Sequence, residues 1–328
     1  MESPVTEIEQ SRTWRTEAIA FLAVASIHGV GYWTMRSISE RGISYWKLLN
    51  SSSQNTFEDC IKTTLVEFEE QDWDNKRAIL WQRGIEVFDS LRGNGIGLIF
   101  SGQEQFPHNL SSIPDRPYWL FIQGEISNLH LKSVAVIGSR KASDDGIFLT
   151  RMVIAALAGK GLPTISGLAS GIDQIVHSES LRYGIPTVAV LGTGINQNYP
   201  KGSGVLRAEI IRRGGTIITE YLPDQTYSSE NFVRRNRLQA ALCDTLIPTE
   251  WNIKSGSAHT VEFASKFGKK IANVFLPVTY EIRPELKFSS EAYGAVSCVL
   301  PDTTDLLLQF INEELPTSYE QQTLDLGE

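Results

Sequence analysis

Between Ser133 and Phe275 short apolar, β-branched runs alternate with helical windows, and this alternation restricts the fold more than any other feature of the chain. The runs are Ser133–Ile137, Pro163–Ile165, Thr187–Leu191, Thr216–Thr219, Thr245–Thr249 and Ile271–Phe275. Between them lie Phe148–Ala158, Asp173–Tyr183, Val205–Arg213, Arg235–Leu242 and Ala258–Phe267. Strands apolar on both faces and separated by helices predict a mostly parallel sheet covered on both sides, a doubly wound Rossmann-like α/β domain. A further strand at Val296–Leu300 and a helix at Thr304–Glu314 are expected to complete it.

Upstream the texture is helical. Ala18, Phe21, Leu22 and Ala25 recur at the spacing of one buried helix face. Residues before about 16 read as polar and frayed, and Trp73–Arg83 reads as a helix ended by Gly84. The segment Ile27-His28-Gly29-Val30-Gly31 interrupts before a second helical stretch from Tyr32. A Gly-x-Gly hairpin between short helices can offer backbone N–H groups to a phosphate, or serve only as a packing turn. The expected organisation is therefore a small all-helical domain of helix-hairpin-helix/SAM-like type over 1–95, the Rossmann-like domain over 96–312, and a polar, unstructured tail over 313–328.

The chain has 328 residues, 41% hydrophobic and 21% charged, which excludes wholesale disorder. Its three cysteines, Cys60, Cys243 and Cys298, form no CxxC pair, so neither a disulfide framework nor a thiolate zinc site is expected. The longest apolar run, Ala18–Ile27, is about half the ~20 residues a membrane helix needs. A cytosolic protein with no membrane partner follows. Thirty Lys and Arg against 38 Asp and Glu leave a net charge of −8, which argues against coating nucleic acid but permits a local basic groove.

In open parallel sheets ligands bind outside the carboxyl ends of the strands, where helix N-termini point free N–H groups. There the sequence places Gly138-Ser139-Arg140, then Ser166-Gly167 with Gly171 and Asp173, then Gly192-Thr193-Gly194 leading to Tyr199-Pro200-Lys201. Glu220-Tyr221 leads to Asn231-Phe232-Val233-Arg234-Arg235-Asn236-Arg237, and Glu250-Trp251 to Lys254-Ser255-Gly256-Ser257. Glycine and serine let backbone approach an anion, and Arg140, Lys201, Arg234, Arg235, Arg237 and Lys254 bring cations to the same rim. A phosphate-bearing ligand is expected. Gly-x-Gly-x-x-Gly does not follow the first strand and no Gly-x-x-x-x-Gly-Lys-Ser/Thr occurs, so no dinucleotide cofactor or P-loop nucleotide is implied. Cations spread over several loops suit a chain of phosphates. Phe232 and Trp251 among them can stack bases or serve as core. Asp173 suits a helix N-cap and His177 a structural role.

These same residues resemble the DNA-processing protein DprA/Smf family. The resemblance rests on Ser166–Asp173, His177, Val188–Ile195, Tyr199-Pro200, Gly138-Ser139-Arg140, Thr219-Glu220-Tyr221, Asn231-Phe232, Arg235-Asn236-Arg237 and Ser255-Gly256-Ser257. It extends to Phe106–Leu110, Pro117 and Gly124 upstream, and to Gly294-Ala295 and Asp305–Leu307 downstream. It implies a non-enzymatic protein that holds single-stranded DNA at the carboxyl edge of the sheet and forms a homodimer. It also implies loading of a RecA-type recombinase in natural transformation. Arg140 and Lys201 would hold phosphates, and Asn231, Phe232, Arg235 and Arg237 would line the strand path. Three departures stand out: Val233-Arg234 where the family has proline and a variable residue, Leu276-Pro277-Val278 for its Pro-Gly, and no room for a C-terminal winged helix. A divergent member acting in mobile-element or phage-defence loci fits as well. The alternative is a nucleotide phosphoribohydrolase of the LOG type, or a nucleotide sensor. Ser255–Glu262 would then stand for its Pro-Gly-Gly-x-Gly-Thr-x-x-Glu turn, with Glu262 supporting an oxocarbenium-like transition state.

Overall fold

A computed structural model describes residues 4–68 and 71–313 of the chain. Five helices come first: α1 (Pro4–Ala25), α2 (Tyr32–Glu40), α3 (Tyr45–Leu49), α4 (Gln54–Ile61) and α5 (Trp73–Gly93). A lead-in to the sheet follows, with β1 (Ile96–Phe100), α6 (His108–Ser111) and β2 (Trp119–Gly124). The doubly wound portion then runs β3 (Val134–Gly138), α7 (Asp144–Leu157), β4 (Thr164–Ser166), α8 (Ile172–Arg182), β5 (Thr187–Val190), α9 (Gly204–Arg212) and β6 (Thr216–Thr219). It continues through α10 (Ser229–Leu242), β7 (Thr245–Glu250), α11 (Gly256–Lys266), β8 (Lys270–Phe275), α12 (Pro284–Tyr293), β9 (Val296–Val299) and α13 (Thr304–Asn312).

The sheet order is β1-β2-β6-β5-β4-β3-β7-β8-β9. From β6 to β9 every pairing is parallel, whereas β2 runs antiparallel to β6 and β1 antiparallel to β2. The chain winds outward from β3 to β6 and crosses back through α10 to β7 on the other side of β3. The switch point therefore lies between β3 and β7. Period-two alternation covers both faces: Val134 and Val136 pack under α7 and α8, while Ala135 and Ile137 pack under α10 and α11. The helical region shares its core with the sheet. Phe21 meets Trp119 at 4.9 Å between ring centroids, and Tyr32 meets Trp119 and Tyr221 at 5.6 and 5.3 Å. Ile27 and Val30 of the Gly-x-Gly hairpin are buried in that core.

Three expectations are corrected. The first helix starts at Pro4, not near residue 16, with proline where its missing N–H costs nothing. Gly84 does not end α5, which runs on to Gly93; a β-carbon at Gly84 would collide with the carbonyl of Ile19, so the glycine lets α5 lie directly on α1. The edge pair β1–β2 was not anticipated as strands. The expected tail lies outside the described residues from 314 onward. At the amino ends of the strands, Lys132 donates to the Asn312 carbonyl at 3.1 Å and Lys270 to those of Ile311 and Glu313 at 3.1 and 2.7 Å. These two lysines satisfy the open carbonyls at the end of α13 and fix it there.

Val278 stands at φ 60° and is 97% exposed. It occupies the glycine place of the family's Pro-Gly turn, so the backbone keeps a glycine conformation that a β-branched residue resists. Val278→Gly is expected to raise stability by about 1 kcal/mol, relieved strain outweighing the added freedom of the unfolded chain. Denaturant unfolding of the two proteins measures it, and a loss of stability contradicts it.

A buried charge cluster joins the helices to the sheet. Arg237 donates to both Glu220 oxygens at 2.5 and 2.7 Å, and the Tyr32 hydroxyl donates to Glu220 Oε2 at 2.8 Å. Asp115 bridges Arg36 and Arg234 at 2.7 and 2.8 Å and meets Arg237 at 3.0 Å. Burial alone penalises the Glu220 carboxylate, but Arg237, Arg234 and the Tyr32 hydroxyl outweigh it and hold its carboxyl below the usual range. Removing one partner of such a pair leaves an uncompensated buried charge, so Glu220→Gln is expected to cost about 3–5 kcal/mol. Chemical unfolding reads this; a cost below about 1 kcal/mol, the worth of an exposed pair, overturns it.

Candidate nucleic-acid interface

At the switch point a cleft of about 480 Å³ opens outside the carboxyl ends of β3 and β7. One wall is the β3 turn, Gly138-Ser139-Arg140. The opposite wall is Trp251-Asn252 with Ser255-Gly256-Ser257, and α10 closes the cleft with Phe232, Arg235, Asn236 and Gln239. The walls are tied together, because Ser257 Oγ donates to the Gly138 carbonyl at 2.8 Å and Asn236 Nδ2 to that of Gly256 at 3.0 Å. No side chain caps the first turn of α11, so the start of that helix presents its own amides on the cleft wall.

Arg140 is the exposed cation of the cleft, and its guanidinium lies 4.8 Å from the centroid of the Phe232 ring. Phe232 is 8% exposed and lines the cleft, serving as both wall and core. Trp251 is buried and also lines the cleft. Glu250 and Asp173 add carboxyl groups to the cleft lining, and the Ser143 amide at the start of α7 engages Glu250 at 3.0 Å. The positive end of that helix offsets its charge.

The remaining arginines are not presented to a ligand as the sequence suggested. Arg235 is buried at the floor and donates to the carbonyls of Gly167, at 2.7 Å, and Val190; burial lowers its pKa to about 10. A β-carbon at Gly167 would overlap that guanidinium, so the glycine lets Arg235 lie against the chain there. Arg234 and Arg237 point away toward Asp115 and Glu220, where their charge is already matched. Arg234 and Arg237 therefore lie outside the cleft lining, whereas Arg235 lines its floor with its guanidinium already engaged by backbone carbonyls. Lys201 and Lys254 are exposed on adjoining loops outside the cleft lining. Ser166 is buried, donating to the Val136 carbonyl at 2.8 Å, and Gly171 precedes α8 at φ 80°. Asn231 sits in the first turn of α10, where its side chain holds the Thr226 carbonyl at 3.3 Å. The sequence places Glu250 at this rim without assigning it a role, and does not single out Gln239, which lines the cleft from α10.

Asp173 is not an N-cap, since Gly171 holds that place; it lies in the first turn of α8 and accepts from the Ala169 amide at 3.4 Å. Burial raises its pKa, against the pull of Arg235. His177 is fully buried, shares a hydrogen bond with Thr187 Oγ1 at 2.8 Å, and is pushed down to about 3 by burial and by Arg235.

Together these features define a doubly wound α/β protein with an anion-receptive cleft at its topological switch point. A family model described as "DNA recombination-mediator protein A" matches residues 97–285. The chain belongs to that family. It is 34% identical over 174 residues to Protein Smf of Escherichia coli, covering 53% of this chain and 46% of that protein. To the DNA processing protein DprA of Streptococcus pneumoniae it is 37% identical over 166 residues, covering 51% of this chain and 58% of that one. The alignments thus span about half the length of these relatives. The X-ray structure of DprA from Streptococcus pneumoniae superposes with a TM-score of 0.63 at 25% identity, over 88% of this chain and 96% of that one. A structure of DNA processing protein A from Helicobacter pylori, titled for its single-stranded DNA binding mode, gives 0.57 at 25% identity over 65% and 96%.

A neutral imidazole in the core carries a pH signature. The unfolded chain takes up a proton near pH 6.5, whereas folded His177 resists until about 3, so acid favours unfolding. Stability is present above 6.5 and lost as pH falls below it, at about 1.4 kcal/mol per pH unit for this group. Between pH 7.5 and 5 the wild type should lose about 2 kcal/mol more than His177→Gln in urea unfolding. Equal losses in the two proteins would exclude the assignment.

Proposed function

We propose that the chain binds single-stranded DNA at the switch-point cleft and does not cleave it. The observation that carries this reading is Arg140, exposed, without a carboxylate partner among the described residues, and set over the Phe232 ring. A guanidinium beside an aromatic face meets the phosphate and base of one nucleotide together. The uncapped start of α11 and the exposed Lys201 and Lys254 add further sites for phosphate. The Helicobacter pylori relative, named for single-stranded DNA binding, supports the same ligand class. On this reading the protein acts in the cytoplasm as a homodimer that delivers DNA to a RecA-type recombinase, in transformation, recombination or phage defence. Family membership supports these roles.

Nucleotide hydrolysis has weaker support. Glu262 is 43% exposed and paired with Lys266 at 2.6 Å, and it is not among the residues lining the cleft. No described helix is long and apolar enough to cross a membrane.

Binding should weaken as salt rises, with a log–log slope of about −0.7 per phosphate contacted. Arg140→Ala should weaken binding to all sequences alike and flatten the slope by about one contact, while Arg234→Ala should leave the slope unchanged. Fluorescence anisotropy of labelled oligonucleotides between about 50 and 200 mM salt tests this. A flat response in the wild type refutes it.

A further inference from the structure

Next to the cleft, two loops and the start of α10 bring three aromatic rings into one cluster. Tyr199 lies 4.9 Å from Phe232 and 4.5 Å from Tyr227, and Tyr227 and Phe232 are inclined by 31°. Phe232 lines the cleft and the tyrosines do not, so the cluster extends outward from the Arg140–Phe232 contact, with Tyr227 6.4 Å from Phe232 itself. Exposure rises along it: Phe232 is 8% exposed, Tyr199 half-buried, and Tyr227 60% exposed. Exposed Lys201 follows Tyr199 by two residues.

An aromatic ring this exposed contributes little to the core, yet its loop is firmly held. Arg207 grips the Tyr199 strap through the carbonyls of Ile195 and Gln197, both at 2.7 Å, and Asn198 Oδ1 at 3.0 Å. The strap is laced to the Tyr227 loop by Gly194 N to Gln225 O at 2.8 Å, Asn196 N to Pro223 O at 2.9 Å and Asn196 Nδ2 to Asp224 Oδ1 at 2.9 Å. Asn231 then anchors the Thr226 carbonyl, and Ser228 caps α10. A preorganised aromatic surface loses little entropy when it takes a ligand.

We infer that Tyr227, backed by Tyr199, is a stacking platform for a nucleobase adjacent to the nucleotide held at Arg140 and Phe232, with Lys201 neutralising the neighbouring phosphate. The inference rests on the proposed single-stranded DNA reading. The platform selects single strands because duplex bases already have both faces covered. It adds affinity through the base, whereas Arg140 acts through the phosphate. Arg207 is a positioning residue, acting on the strand only through the strap it holds.

The test compares wild type, Tyr227→Ala and Tyr227→Phe on a twelve-nucleotide dT oligomer (dT12) and on an abasic oligomer with the same phosphates. Tyr227→Ala should weaken dT12 binding about tenfold, in the range of one lost base–aromatic stack, with its salt slope unchanged. Tyr227→Phe should stay within about twofold of wild type, since the ring and not the hydroxyl does the stacking. On the abasic oligomer wild type and Tyr227→Ala should bind equally. Equal dT12 affinity of wild type and Tyr227→Ala, or an equal loss on the abasic strand, overturns the platform while leaving the DNA reading intact. Failure of the wild type to bind either oligomer overturns both. Thermal melting of Tyr227→Ala shows that the fold is kept.

Discussion

Glu220, buried at the end of β6, holds Arg237 and Tyr32 together, and much else is arranged around this contact. It pins α10 against the carboxyl edge of the sheet and seats α2 on top of both. Once Arg237 is drawn in, the helix phase fixes its neighbours: Arg235 turns down to the carbonyls after β4 and β5, and Phe232, three positions earlier, faces the cleft. The cost of burying so much charge is met by complete pairing, with Asp115 serving three guanidiniums. The result is a rigid lip beside which Arg140 stays exposed over the Phe232 ring.

The fold was largely readable from periodicity. The parallel strands appear within a residue or two of their runs, because apolar β-branched segments between helices have few other ways to bury themselves. The pair β1–β2 escaped because an antiparallel edge carries no strand–helix–strand rhythm, and Gly97 breaks the β-branched pattern. Gly84 misled for a related reason: punctuation and close packing use the same residue, and only the presence of α1 across the contact distinguishes them.

The candidate site was half legible. Residue types and loop positions identified the Gly138 turn, the Ser255 turn and Phe232. The direction of the α10 arginines could not be read, because it depends on Asp115 and Glu220, which the fold brings in from distant parts of the chain. Counting cations along a motif overstates the charge available to a ligand whenever the matching carboxylates arrive through tertiary structure. The overall charge of −8 is equally uninformative at this scale, since the local balance at the cleft is set by Arg140 and Arg235, Glu250 and Asp173, and helix amides.

The lysines that cap α13 settle where the last described helix ends. Lys132 and Lys270 hold Glu313 and its neighbours at the amino ends of β3 and β8, across the full length of the strands from the cleft. A dye, bead or partner protein spliced on at that point would hang from the rear of the molecule. The cleft would remain open, which makes this face the natural place for a handle in single-molecule work.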